Sequence, residues 1–163
     1  PSALRGPVVD CRGLSAQADV PGLRGVRGEM IVLRSDEITL SRPIRLLHPR
    51  HPLYVVPRAK GLFMLGATQI ESAARGSITM RSALELLSAA YALDPRFAEA
   101  EIVEMGADLR PAFADHVPKI LRKGRVLDLN GLFRHGFLLA PALAEQAAEY
   151  LLTGKTGDLF DAD

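Results

Sequence analysis

One stretch near the C-terminus constrains this chain more than any other: Asn130-Gly131-Leu132-Phe133-Arg134-His135-Gly136-Phe137-Leu138-Leu139-Ala140-Pro141. It follows a strand-like apolar run, Arg125 to Leu129. It leads into residues 142–152, where Leu143, Ala147, Tyr150 and Leu151 gather on one face of a helix. Two glycines in so short a link permit positive φ or a close backbone approach to something flat. The first N–H groups of the helix that follows have no partner inside it, so its start favours negative charge. Strand, glycine turn and helix in succession are common in α/β connections, so the pattern fixes local geometry before it indicates chemistry.

The rest of the chain narrows the function classes. With 163 residues, 48% hydrophobic, and 20 basic against 19 acidic side chains, it has the makings of a sizeable core and is not a disordered segment. Its arginines are scattered without aromatic interleaving, which argues against nucleic-acid binding. The single Cys11 excludes an internal disulfide and fits a reducing, cytoplasmic setting. No apolar run is long enough to span a bilayer and no signal-peptide pattern appears, so no membrane partner is expected. His48-Pro49-Arg50-His51-Pro52 holds two histidines, but their spacing suits a proline-stiffened loop better than a metal site. No Ser/His/Asp, Cys/His or paired-carboxylate arrangement is visible, so neither a catalytic side chain nor a metal ligand is assigned.

Taken in order, Pro7 to Cys11 reads as a short buried strand ended by Arg12-Gly13, and residues 15–23 as a connector. Strands are expected over 26–34, 44–47, 53–56 and 62–67, the last two forming an antiparallel hairpin. Thr79 to Leu93 is the clearest helix, with Ala83, Leu86, Leu87, Ala90 and Tyr91 on one face and Asp94-Pro95 as its stop. Residues 100–105 read as a further strand, followed by a loop after Arg110-Pro111, a strand over 117–121 and another over 125–129. Thr153-Gly154 ends the last helix, and residues 155–163 are expected to fray. The fold class is therefore α+β: a mixed or antiparallel sheet with a helix on one face, plus a remnant of a second, α/β domain.

Several motifs stand in one order: Gly25-Val26-Arg27-Gly28-Glu29, Leu53-Tyr54-Val55-Val56-Pro57-Arg58, Leu65-Gly66-Ala67-Thr68, Gly106-Ala107-Asp108-Leu109-Arg110-Pro111 and the opening stretch Asn130 to Pro141. Together, over roughly Val8 to Gly154, they resemble the D-amino-acid-oxidase-like FAD enzymes, most closely glycine oxidase of thiamine biosynthesis. Members carry a G-x-G-x-x-G pyrophosphate loop near the N-terminus, and this chain has none, so the resemblance implies the C-terminal part of a larger protein. It implies residues 1–23 as a remnant of the FAD-binding domain, 24–124 as the substrate-binding domain, 125–154 as the returning strand and helix of the FAD-binding domain, and 155–163 as a tail.

The same resemblance implies site residues. Arg110 aligns with the arginine that binds the substrate carboxylate, Tyr54 with a tyrosine on the same carboxylate, and Arg134 with a residue bordering both flavin and substrate. Gly13, Leu132, Phe133, Arg134, His135, Gly136, Phe137 and Leu138 are expected at the cofactor, the run from His135 through backbone N–H groups facing the flavin N1/C2=O edge. The implied reaction oxidises glycine or another small amine to an imine, with O2 as oxidant, H2O2 as product and a role in thiazole formation. Leu132 stands where many members have His or Tyr, and Gln69 where a Met can occur, so the amine is left open. Oxidation of sarcosine or a D-amino acid, by an oxidase or a dehydrogenase, is one alternative; a non-catalytic binding or assembly domain is another. Open sheet edges would also leave the chain prone to self-association as a homo-oligomer.

Overall fold

The structure is a computed structural model and describes residues 6–48 and 52–161. Pro49, Arg50 and His51 of the two-histidine loop lie outside the described residues. The chain divides into two compact units, one formed by residues up to Val26 and from Arg110 onward, the other by Arg27–Leu109.

The second unit is built on a five-stranded sheet in the order β3-β4-β5-β2-β6, where β2 is Arg24–Arg34, β3 Ile44–Leu46, β4 Leu53–Pro57, β5 Leu62–Gly66 and β6 Glu101–Ala112. Strands β3, β4, β5 and β2 pair antiparallel in turn. Period-two burial along β2 turns Arg27, Glu29, Ile31 and Leu33 to one face. The helix α1, Met80–Leu93, covers that face with Leu86, Ala89 and Ala90. Phe97 closes the core edge-on against Phe63, ring centres 5.5 Å apart. Thr79 caps the helix by accepting from the Ser82 N–H. Of the expected apolar face, Leu86 and Ala90 are buried and Ala83 and Leu87 pack against the core, while Tyr91 is exposed.

Strand β6 is longer than the sequence suggests. It extends beyond the expected 100–105 to Ala112, taking in Arg110-Pro111, and the expected loop follows it. It lies at the edge of the sheet, and an edge strand can accept a residue with no N–H to donate.

The first unit holds a four-stranded sheet in the order β1-β8-β7-β9: β1 is Val8–Asp10, β7 Lys119–Lys123, β8 Val126–Asn130 and β9 Phe160–Asp161. β1 runs parallel to β8, β8 antiparallel to β7, and β7 parallel to β9. The helix α2, Gly136–Thr153, packs Leu143 and Ala147 on Ile120, Leu127 and Leu129. On the other face Ala16, Val20, Leu23 and Phe113 form a small core with Leu14 and Leu121.

Two local expectations are corrected here. Helix α2 starts at Gly136, six residues before Ala142, and carries Pro141 inside it. Proline there forfeits only the bond to the carbonyl four residues back, that of Phe137, which is fully exposed at the helix start. The C-terminal residues do not simply fray either. Phe160 packs on Tyr150 with ring centres 4.8 Å apart, Lys119 pairs with Asp161 at 2.7 Å, and β9 extends the sheet. The end of α2 matches expectation: Gly154 takes φ 77° and its N–H returns to the Tyr150 carbonyl. Among the described residues no helix is long and apolar enough to cross a membrane.

Candidate functional site

In the first unit, three separate backbone segments meet at the end of β8. Gly13 follows β1 with φ 58°, and Gly131 follows β8 with φ 76°, both in the left-handed region. The buried side chain of Asn130 joins them. Its Nδ2 donates to the Gly13 carbonyl and its Oδ1 accepts from the Gly131 N–H, each at 3.0 Å. A methyl group added at Gly131 would overlap the Phe113 ring, so that turn has no room for any other residue. The third segment is the end of β6: the Phe133 N–H donates to the Pro111 carbonyl at 3.0 Å. That bond ties the residue after Arg110 to the residue before Arg134.

Phe133 itself has φ 48°, and its ring stacks on His116, which has φ 59°, at 4.5 Å and 15° between planes. Arg24 reaches the same histidine, Nη2 to Nε2 at 2.9 Å. Two non-glycine residues in left-handed conformation, stacked on each other, form a strained corner held by its surroundings.

The expected site residues fall out as follows. Arg110 is half-buried within β6, and Arg134 is exposed just before α2. Leu132 turns its side chain toward the core beneath α2. At the helix start, the His135 N–H donates to the Leu132 carbonyl and the Leu138 N–H to the His135 carbonyl, at 2.9 and 3.0 Å. The N–H groups of Gly136 and Phe137 are thus the pair with no backbone acceptor among the described residues. The side chains of Phe137 and Leu138 are exposed.

Tyr54 belongs to the second unit. It stands opposite Gly66 in the β4–β5 pairing, with its ring lying where a Gly66 side chain would be. The same unit contains a buried ion pair, Arg27 with Glu29 at 2.7 Å. Arg27 also donates to the carbonyls of Ala74, Gly76 and Ser77. Glu29 accepts from the Thr79 N–H and the Thr68 hydroxyl. Burial pushes the Glu29 carboxyl up, but Ser82, Arg27 and the Thr79 N–H together hold it below its ordinary value.

Sequence reasoning missed a pair of carboxylates. Asp10 and Asp128 stand in register across β1 and β8. Arg12 grips Asp10 with several hydrogen bonds and holds its carboxyl below the usual range. Burial, followed by the charge of Asp10, pushes Asp128 up, and its buried Oδ1 has no hydrogen-bond partner among the described residues. Two surface clefts contain none of the expected site residues. One, of about 560 Å³, involves Arg122, Tyr150 and Phe160; the other, of about 420 Å³, involves Leu46, His48 and Leu84.

At this corner the N–H groups of Gly136 and Phe137, without a backbone acceptor among the described residues, stand at the start of an 18-residue helix beside a glycine turn, an arrangement that favours negative charge. The chain is 58% identical over 146 residues to the putative thiamine biosynthesis oxidoreductase ThiO of Rhizobium etli, covering 90% of this chain and 45% of that protein. It is 33% identical over 130 residues to glycine oxidase of Bacillus licheniformis, covering 78% and 34%. The crystal structure of glycine oxidase from Bacillus cereus superposes with a TM-score of 0.74 at 26% identity, covering 86% and 39%. The chain therefore spans less than half the length of these relatives. The family described as FAD dependent oxidoreductase, DAO, matches residues 2–150, and this chain belongs to it.

Proposed function

We propose that this chain is the C-terminal, substrate-binding portion of an FAD-dependent oxidase that oxidatively deaminates glycine or a similar small amine, supplying thiazole formation in thiamine biosynthesis. The observation that carries this reading is the bond from the Phe133 N–H to the Pro111 carbonyl, which brings the Arg110 strand end and the Arg134 turn into one corner. Bound FAD would supply the two-electron acceptor for Cα–N oxidation, with O2 as final oxidant and H2O2 as product.

The chain's own residues have simpler tasks. The planar guanidinium of Arg110 matches a substrate carboxylate with two parallel hydrogen bonds, and Pro111 restricts Arg110 to extended backbone angles. Tyr54 is proposed as a further donor to that carboxylate, and Arg134 as the cation bordering substrate and cofactor. The N–H groups of Gly136 and Phe137 would hold negative charge at the ring edge. In this reading residues 24–124 form the substrate-binding domain, and 1–23 with 125–154 contribute to the FAD-binding domain. The exposed Phe137 and Leu138 would face parts of the whole protein that this chain does not include.

The test is a visible absorbance scan of the full-length protein, followed by addition of glycine. Yellow protein that bleaches anaerobically with glycine is expected; protein that stays colourless after added FAD overturns the proposal. Arg110→Ala is expected to raise KM for the amino acid about tenfold to a hundredfold with flavin still bound, matching the ~1.5–3 kcal/mol of a hydrogen bond to a charged group. An unchanged KM removes Arg110 from that role.

A further inference from the structure

Asn130 is 2% exposed at the end of β8, and both functions of its amide are used. The donor goes to a carbonyl at Gly13, the acceptor to an N–H at Gly131. The two partners lie in turns far apart in sequence, each a glycine with positive φ. No other side-chain type of this length offers one donor and one acceptor on a rigid plane. Aspartate would place a carboxylate oxygen against the Gly13 carbonyl with no proton to share at neutral pH. Leucine would leave both backbone groups unsatisfied in a buried place. The register of β1 with β8, Asp10 opposite Asp128, brings the two turns to the same end of the sheet, and the side chain of Asn130 then sets their spacing.

We propose that Asn130 is a positioning residue for the flavin site: it locks the Gly13 turn to the Gly131 turn, and so fixes where the N–H groups of Gly136 and Phe137 point. This rests on the FAD-binding reading above. Asn130 touches neither cofactor nor substrate in this account and acts only through the two turns. The segment from Gly131 to Gly136 is short and pinned at Phe133 by Pro111, so a shift at Gly131 is passed directly to the helix start.

The experiment uses the full-length protein and FAD itself. Wild type, Asn130→Asp and Leu143→Ala are compared for FAD dissociation constant, visible band position and melting temperature. Leu143 sits in the core beneath α2 and takes no part in the hydrogen bonds that Asn130 makes to the two turns, so its truncation lowers stability with both bonds left in place. Asn130→Asp is expected to weaken FAD binding about tenfold or more, roughly 1.4 kcal/mol, and to shift the flavin band. Leu143→Ala is expected to lower the melting temperature while leaving both flavin readouts at their wild-type values well below the melt. FAD affinity and band unchanged in Asn130→Asp would overturn the inference and leave the proposed function standing. Equal losses in the two variants at matched melting temperature would also overturn it, as a purely structural effect. A wild type that takes up no FAD would sink the functional reading and this inference together. Should Asn130→Asp fail to fold, Asn130→Ser, too short to reach both turns, decides the matter on the same readouts.

Discussion

Asp128 shows how much a single carboxyl can depend on its neighbour across a strand. It is 4% exposed, leans on Asp10, and keeps one oxygen without a partner among the described residues. Burial, then Asp10, raise its folded-state value, so the folded chain holds that proton to higher pH than the unfolded chain does. Its contribution to stability is complete below the ordinary aspartate range and is lost as pH rises through the raised value. Asp128→Asn should therefore raise the melting temperature at pH 8, with little gain at pH 4; a pH-independent difference would contradict this. Asp10 has the opposite sign: its lowered value favours folding above the ordinary range and is lost on acidification. This pair was not legible in the sequence, because its members are brought together only by the parallel pairing of β1 with β8. The partners of Asn130 were hidden for the same reason. The positive φ of Gly13 and Gly131 could be anticipated from residue type alone.

At the level of elements, α1 was readable because its cap, its apolar stripe and its Asp94-Pro95 stop agree. The start of α2 was not, because Pro141 looks like a boundary and becomes one only where the lost bond would have been buried. Strand β6 was read short because its alternation is imperfect and stops at Gly106, whereas it continues to Ala112 at the edge of the sheet, where Pro111 is accepted. The Arg27–Glu29 pair joins β2 to the start of α1 and to the segment before it. Removing one partner strands a charge in a site where Arg27 and Glu29 are both nearly inaccessible. Glu29→Ala should cost about 3–5 kcal/mol in denaturant unfolding, as breaking a buried pair does. A loss below 1 kcal/mol would mean that the three carbonyls alone satisfy Arg27.

For the molecule as a whole, the α+β class and the family were legible from motif order, whereas the sheet order and the strand at the C-terminal end were not. β9 is two residues long, and what holds it is Phe160 on Tyr150 and Asp161 on Lys119, contacts without a local sequence signature. The chain spans under half the length of its relatives, and the proposed function makes it the C-terminal portion of a longer protein. This chain alone, mixed with FAD and passed through a gel-filtration column, should emerge colourless, while the full-length protein carries the yellow band with it; a yellow fragment would mean that these residues suffice to hold the cofactor. One feature of the second unit matters for engineering. Arg27 grips Ala74, Gly76 and Ser77 by their carbonyls alone, so the clamp is indifferent to which side chains those positions carry. A combinatorial library over residues 73–77 could thus sample new chemistry on a loop that Arg27 holds through its backbone.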